Sequence, residues 1–177
     1  LGRLKQLLGD QAFAVQEADA CDQSQIVQLL TSFDVTAVIH FAALKAVGES
    51  VVQPLRYFEN NNQALLSVLK AISSIAKDRY IHLVYSSSAT VYGDPDQVPI
   101  TESAALRPTN PYAWTKVIGE QIILAQQQAN PSCRAVILRY FNPVGAHESG
   151  LIGENPNGVP NNLMPYIAQV AAGERAE

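Results

Sequence analysis

Tyr80-Ile81-His82-Leu83-Val84-Tyr85-Ser86-Ser87-Ser88-Ala89-Thr90-Val91-Tyr92-Gly93 is followed, after a polar interval, by Pro111-Tyr112-Ala113-Trp114-Thr115-Lys116. The first stretch begins as an apolar run over residues 80–86 that reads as a buried strand, with serines at its carboxyl end. The second opens a helical pattern, with Pro111 at the start, that continues to about Gln128. Tyr112 and Lys116 are spaced one helical turn apart and share one face. An ammonium beside a phenol favours the phenolate and draws its pKa from about 10 towards neutral. The hydroxyl of a strand-end serine can hydrogen-bond the same substrate oxygen. Such a group can take a proton from an alcohol while a hydride leaves the carbon. Tyr-x-x-x-Lys by itself also describes an ordinary surface pair on a helix; the serines upstream supply the context that the chemistry needs.

Working outward, residues 35–41 (Val-Thr-Ala-Val-Ile-His-Phe) and 134–140 (Arg-Ala-Val-Ile-Leu-Arg-Tyr) are two further apolar strands, and residues 12–16 are a short strand candidate. Between them lie helical patterns. Residues 1–8 form a short one, stopped by Gly9. Asp22 can cap another through Leu30, with Ile26, Val27, Leu29 and Leu30 as its apolar stripe. After a small-residue loop containing Ala42, Ala43, Ala46 and Gly48, a long helix begins near Pro54 and runs to about Lys77. Leu55, Phe58, Leu65, Leu66, Val68, Leu69 and Ile72 make it apolar on more than one side. Residues 94–109 and 142–160 read as loops, and residues 161–172 as a last helix. Continuous apolar strands alternating with helices predict an α/β fold, a doubly wound parallel sheet of Rossmann-like type covered on both faces. Ligands of such sheets bind at the carboxyl ends of the strands. Asp19, Phe41, Ala42, the three serines, Phe141 and Asn142 all fall at such ends.

At 177 residues with 47% hydrophobic content, the chain is one domain's worth of sequence with a real core. The net charge of -4 and the lack of a basic block argue against a nucleic-acid partner. No apolar run approaches the ~18 residues of a membrane span, and the start, Leu1-Gly2-Arg3-Leu4-Lys5, has no signal-peptide pattern. Cys21 and Cys133 are far apart with no metal-ligand spacing, as in a cytoplasmic protein with reduced thiols. His40, His82 and His147 have no ligand spacing either, so no metal is expected and structural roles suit them. Both chain ends read as internal to a longer protein. No G-x-G-x-x-G or G-x-x-G-x-x-G turn occurs in the sequence, so the residues alone leave a dinucleotide cofactor open.

Five blocks carry a resemblance. They are His40-Phe41-Ala42-Ala43-Leu44-Lys45-Ala46-Val47-Gly48-Glu49-Ser50, Ser86 to Gly93, Tyr112-x-x-x-Lys116, Arg139-Tyr140-Phe141-Asn142-Pro143-Val144-Gly145-Ala146-His147, and Pro160-Asn161-Asn162-Leu163-Met164-Pro165-Tyr166-Ile167. In their order and spacing they closely resemble the UDP-glucose 4-epimerases of the extended short-chain dehydrogenase/reductase superfamily. The resemblance covers nearly the whole chain. It implies that residues 1–141 form an NAD-binding domain whose Gly-rich turn precedes Leu1. It also implies that residues 142–177 begin a sugar-nucleotide region continuing past Glu177.

The same resemblance implies a set of roles. Tyr112 would be the base, Lys116 would hold the nicotinamide ribose, and Ser88 would bond the sugar O4. Asp19 and Ala20 would meet the adenine. Phe41, Ala42, Ala43, Leu44, Lys45 and Asn60 would line the NAD site, with Ser86, Ser87, Tyr140 and Phe141 on its nicotinamide side. Lys45, Ser88, Ala89, Thr90, Tyr112, Asn142, Asn162 and Leu163 would face the UDP-sugar. The implied reaction interconverts UDP-galactose and UDP-glucose, in galactose metabolism, by transient oxidation at C4. The keto sugar turns over before the hydride returns. A homodimer built on the helices of residues 55–72 and 112–128 is also implied.

Several residues admit plainer readings. Asp19 also fits a helix cap, Lys45 a solvated loop charge, and the Asn161-Asn162 pair a cap for the last helix. Asn60-Asn61-Asn62 inside a helix is unusual enough to suggest a purpose for at least one of them. Trp114 points off the face shared by Tyr112 and Lys116. Three rivals bear on function. A nucleotide-sugar 4,6-dehydratase would need an acid/base pair where the chain has Ala89 and Thr90. A non-catalytic NAD(P)-sensing protein would have no need of Tyr112 as a base. Epimerisation of an N-acetylhexosamine or pentose would depend on pocket residues beyond Glu177.

Overall fold

Three of the apolar runs lie side by side. β1 (Ala37–His40), β2 (His82–Ser88) and β3 (Arg134–Tyr140) form a parallel sheet in the order β1-β2-β3. They do so in a computed structural model that describes residues 2–9, 13–75, 80–130, 133–154 and 162–176. The register sets Ile39 beside Val84 and Val84 beside Val136, and brings Ser88 level with Tyr140.

Side chains alternate across each strand. Ile81, Leu83 and Tyr85 therefore point to one face. There they pack against Leu65, Val68, Leu69 and Ile72 of α4 (Pro54–Ile75) and Ile123 of α5 (Pro111–Ala129). Leu30 of α2 (Gln23–Ser32) joins the same core. Asp22 caps α2 by accepting from the Ser24 and Gln25 N–H groups, as its sequence signal suggests. The chain is an α/β protein with a Rossmann-like parallel sheet.

The structure departs from the sequence reading at several places. Residues 13–18 pair with no strand, and Phe13 and Val15 are exposed. An apolar alternation cannot be a strand without a ladder partner. Ala12 lies outside the described residues. The small-residue loop after β1 contains a helix, α3 (Val47–Val52). The long helix is described to Ile75, and its expected end at Lys77 lies outside the described residues.

The helices that connect these three strands lie on one face of them. The strand order β1-β2-β3 advances in a single direction, so right-handed crossovers put every connecting helix on the same side. On the other face Ile39 is 61% and Val136 55% exposed.

Two compact units divide the chain: Glu17–Phe141, and Leu1–Gln16 with Asn142–Glu177. The smaller contains α1 (Gly2–Leu8) and α6 (Leu163–Ala171), with Arg3 donating to the Leu151 carbonyl at 3.3 Å.

Candidate active site

The central strand delivers three serines at its carboxyl end, and alternation sends them different ways. Ser87 is 2% exposed and donates to Glu120 Oε1 at 2.5 Å. Any contact with a cofactor would therefore fall to its backbone. Ser88 ends β2 and caps the short 3-10 turn Ala89–Tyr92, accepting from Thr90 N at 3.2 Å and Thr90 Oγ1 at 2.9 Å. Thr90 is thus turned onto Ser88, and Ala89 has no proton to exchange. The acid/base pair of a dehydratase is absent from both positions.

Helix α5 starts where it does because Asn110 accepts from Ala113 N at 2.9 Å and Pro111 occupies the first turn. This start puts Tyr112 and Lys116 on successive turns above the serines. Gly119 lets α5 come close, since a Cβ there would run into the Tyr85 hydroxyl and lie 3.2 Å from Leu65 Cδ2. Lys116 is 4% exposed, and its Nζ donates to the Ser86 carbonyl at 2.7 Å. Burial draws its pKa down to about 8.

Tyr112 behaves otherwise than its spacing from Lys116 suggests. Burial raises its pKa, and a hydrogen bond with Ser88 works in the other direction. Lys116 Nζ lies 5.7 Å from the Tyr112 ring centroid, engages Ser86, and is itself pushed towards neutrality by burial. It therefore does not bring the phenol towards neutral here; desolvation of the phenolate outweighs it. His40 ends β1 beneath this pair, stacked on Tyr85 with centroids 6.0 Å apart. Burial, then the charge of Lys116, lowers its pKa to about 4, so it is a neutral structural histidine.

The loop after β1 is pinned from below. Asn61 accepts from Leu44 N at 2.8 Å and donates to Leu44 O at 3.0 Å and to Thr115 Oγ1 at 3.1 Å. Tyr57 accepts from Ala46 N at 3.1 Å and donates to Glu49 Oε2 at 2.7 Å. These bonds hold residues 44–46 to α4 and α5, with Lys45 exposed. Phe41 and Tyr140 approach across the strand ends, centroids 6.2 Å apart, with Phe41 63% exposed. Ala42 is exposed and Ala43 half-buried on the same rim, and Phe141 is also exposed.

The remaining candidates are placed separately. Asp19 accepts from Cys21 N at 2.9 Å in a local turn, the cap of α2 being Asp22 instead, and Ala20 is half-buried beside it. Asn60 donates to Asn61 Oδ1 at 3.1 Å. Asn62 Oδ1 is buried with no partner among the described residues. Asn142, Asn162 and Leu163 belong to the smaller unit. Asn162 precedes α6 without capping it and donates instead to Glu154 Oε1 at 2.8 Å. Asn161 lies outside the described residues.

Sequence reasoning missed Glu120 and Arg139, a buried carboxylate paired with a half-buried guanidinium, with Arg139 Nη2 2.7 Å from Glu120 Oε2. The available signal was an arginine inside an apolar strand, where a charge needs a partner.

A family model described as GDP-mannose 4,6 dehydratase matches residues 1–177. The chain belongs to this family. Among curated members of similar sequence is the UDP-glucose 4-epimerase of Caenorhabditis elegans. It is 49% identical over 176 residues, covering 98% of the chain and 49% of the relative. The bifunctional UDP-glucose 4-epimerase and UDP-xylose 4-epimerase 1 of Pisum sativum is 50% identical over 159 residues, covering 90% and 45%. The crystal structure of UDP-glucose 4-epimerase from Bifidobacterium longum, in complex with NAD+ and UDP, superposes with a TM-score of 0.90 at 45% identity. It covers 100% of this chain and 52% of that one. The chain spans about half the length of the curated relatives it matches. The likeness to UDP-glucose 4-epimerases drawn from the five sequence blocks stands.

Proposed function

We propose that this chain is the catalytic-residue-bearing part of an NAD-dependent UDP-glucose 4-epimerase. The observation that carries the reading is the convergence of Ser88, Tyr112 and Lys116 at the carboxyl end of β2, in a chain 49% identical to an enzyme of that name. The residues present fit one end of NAD. A buried ammonium with one acceptor among the described residues, Ser86 O, retains donors for ribose hydroxyls. The Phe41 and Tyr140 rings offer an apolar rim. Asp19 and Ala20, the loop of residues 41–45, Asn60, Ser86, Ser87 and Phe141 complete the cofactor side. When bound, NAD supplies a hydride acceptor at the sugar C4 and returns the hydride.

The chain's own residues handle the proton. Ser88 holds the O4 hydroxyl against Tyr112, and the Tyr112 phenolate takes its proton. Burial makes that phenolate costly. Lys116 would hold the nicotinamide ribose, and the positive charge that the bound cofactor brings would favour the phenolate. Lys45, Ala89 and Thr90 take UDP-sugar contacts in the larger unit, and the family resemblance assigns Asn142, Asn162 and Leu163 of the smaller unit to the same substrate. Residues 1–141 act as the cofactor half and residues 142–177 as the start of the sugar-nucleotide half. The protein works in the cytoplasm in galactose metabolism, as a homodimer through α4 and α5.

The test is to incubate the full-length protein with UDP-galactose and identify the product. UDP-glucose supports the reading; a dehydrated 4-keto-6-deoxy sugar or no product overturns it. A second reading, 4-epimerisation of a UDP-pentose, is favoured by the bifunctional relative from Pisum sativum; UDP-xylose in the same assay decides it.

A further inference from the structure

We propose that Glu120, held between Ser87 and Arg139, is a positioning residue that sets the height of α5 over β2 and so aligns Tyr112 with Ser88. The inference rests on the epimerase reading for its kinetic consequence, but not for its geometry. Glu120 follows Lys116 by one turn and Tyr112 by two, so all three lie along one face of α5. It is 1% exposed. Its Oε1 accepts from Ser87 Oγ at 2.5 Å and from Arg139 Nε at 3.0 Å, and its Oε2 accepts from Arg139 Nη2 at 2.7 Å. Arg139 Nη1 donates onward to the Tyr92 hydroxyl at 2.8 Å and to the Glu102 carbonyl at 3.1 Å. The bonds to Glu120 raise the guanidinium pKa further.

One carboxylate thus ties α5 to β2 directly, and through Arg139 to β3, the 3-10 turn and the loop after it. Its anchor on β2 is the middle serine. Ser86, on one side, gives its carbonyl to Lys116; Ser88, on the other, is close enough to Tyr112 to lower its pKa. A helix free to slide by a fraction of a turn would disturb both contacts at once. A bidentate, charge-assisted pair on a buried carboxylate resists such sliding better than apolar packing, because its geometry is directional.

The test uses the full-length protein with Ser87→Ala and Glu120→Ala. Ser87→Ala cuts the anchor at β2 and leaves the Glu120–Arg139 pair intact, so it keeps the question answerable if Glu120→Ala does not fold. Two readouts are taken. The first is kcat and KM for the epimerase reaction, where misalignment lowers kcat about 10- to 100-fold with KM changed less than about threefold. The second needs no turnover: the Tyr112 phenol is titrated by carbon NMR of labelled tyrosine, with and without Ser88→Ala. Removing Ser88 raises the Tyr112 pKa when the anchor is present, and does so much less when it is cut. A folded Ser87→Ala protein that keeps both kcat and the full Ser88 effect overturns the positioning role. An unmutated protein that shows the Ser88 effect but no epimerase turnover overturns the functional reading and leaves the positioning role standing.

Discussion

His40 and Tyr112 show how burial, not sequence spacing, sets proton affinity in this site. His40 has a folded pKa of about 4 against 6.5 for an exposed imidazole. The unfolded chain binds this proton from about pH 6.5 downward, the folded state only near pH 4. Stability therefore falls as pH drops through that window, by about 2 kcal/mol between pH 7.5 and pH 5 from this residue alone. Urea denaturation at the two pH values measures it, and His40→Phe removes that part of the pH dependence. The identities of Ser88, Tyr112 and Lys116 were legible in the sequence because their chemistry is local to a strand end and one helical turn. The direction of the Tyr112 shift was not. It depends on how much solvent the fold removes from the phenol and on Lys116 turning to the Ser86 carbonyl, and neither leaves a trace in spacing.

Helix α5 is where element placement matters most. Gly119 permits the contact with Tyr85 and α4 that the site needs. Gly119→Ala destabilises the protein by about 1–3 kcal/mol, as overpacking in a tight core does, and moves α5 off β2. Thermal unfolding measures the first effect. Asn61→Ala removes three bonds between α4, the loop after β1 and Thr115. It costs about 2–3 kcal/mol at about 1 kcal/mol per bond, and it weakens NAD binding by loosening residues 44–46. Element positions were readable where periodicity and start signals coincide: Asp22 before α2, Pro111 opening α5, and the apolar run of β3. They were unreadable at α3, whose small residues resemble a loop, and at residues 13–18, whose alternation lacks a neighbour to pair with.

Over the whole chain, strand and helix order revealed a parallel α/β sheet. Which faces the helices cover follows from strand order in space, which the linear pattern does not state. Among the described residues no helix is long and apolar enough to cross a membrane, and no cluster of acidic, histidine or cysteine side chains could hold a metal. Trp114, 47% exposed on α5, and Leu55, 80% exposed on α4, suit the proposed homodimer surface. Trp114→Glu is expected to halve the mass seen by light scattering with the circular dichroism unchanged. The most direct test of the central claim is kcat of the full-length Tyr112→Phe protein on UDP-galactose, measured with its NAD content. If Tyr112 is the proton-transfer group at C4, kcat falls by about 100-fold or more while NAD stays bound. A Tyr112→Phe protein that turns over within a few-fold of the unmutated rate contradicts the account.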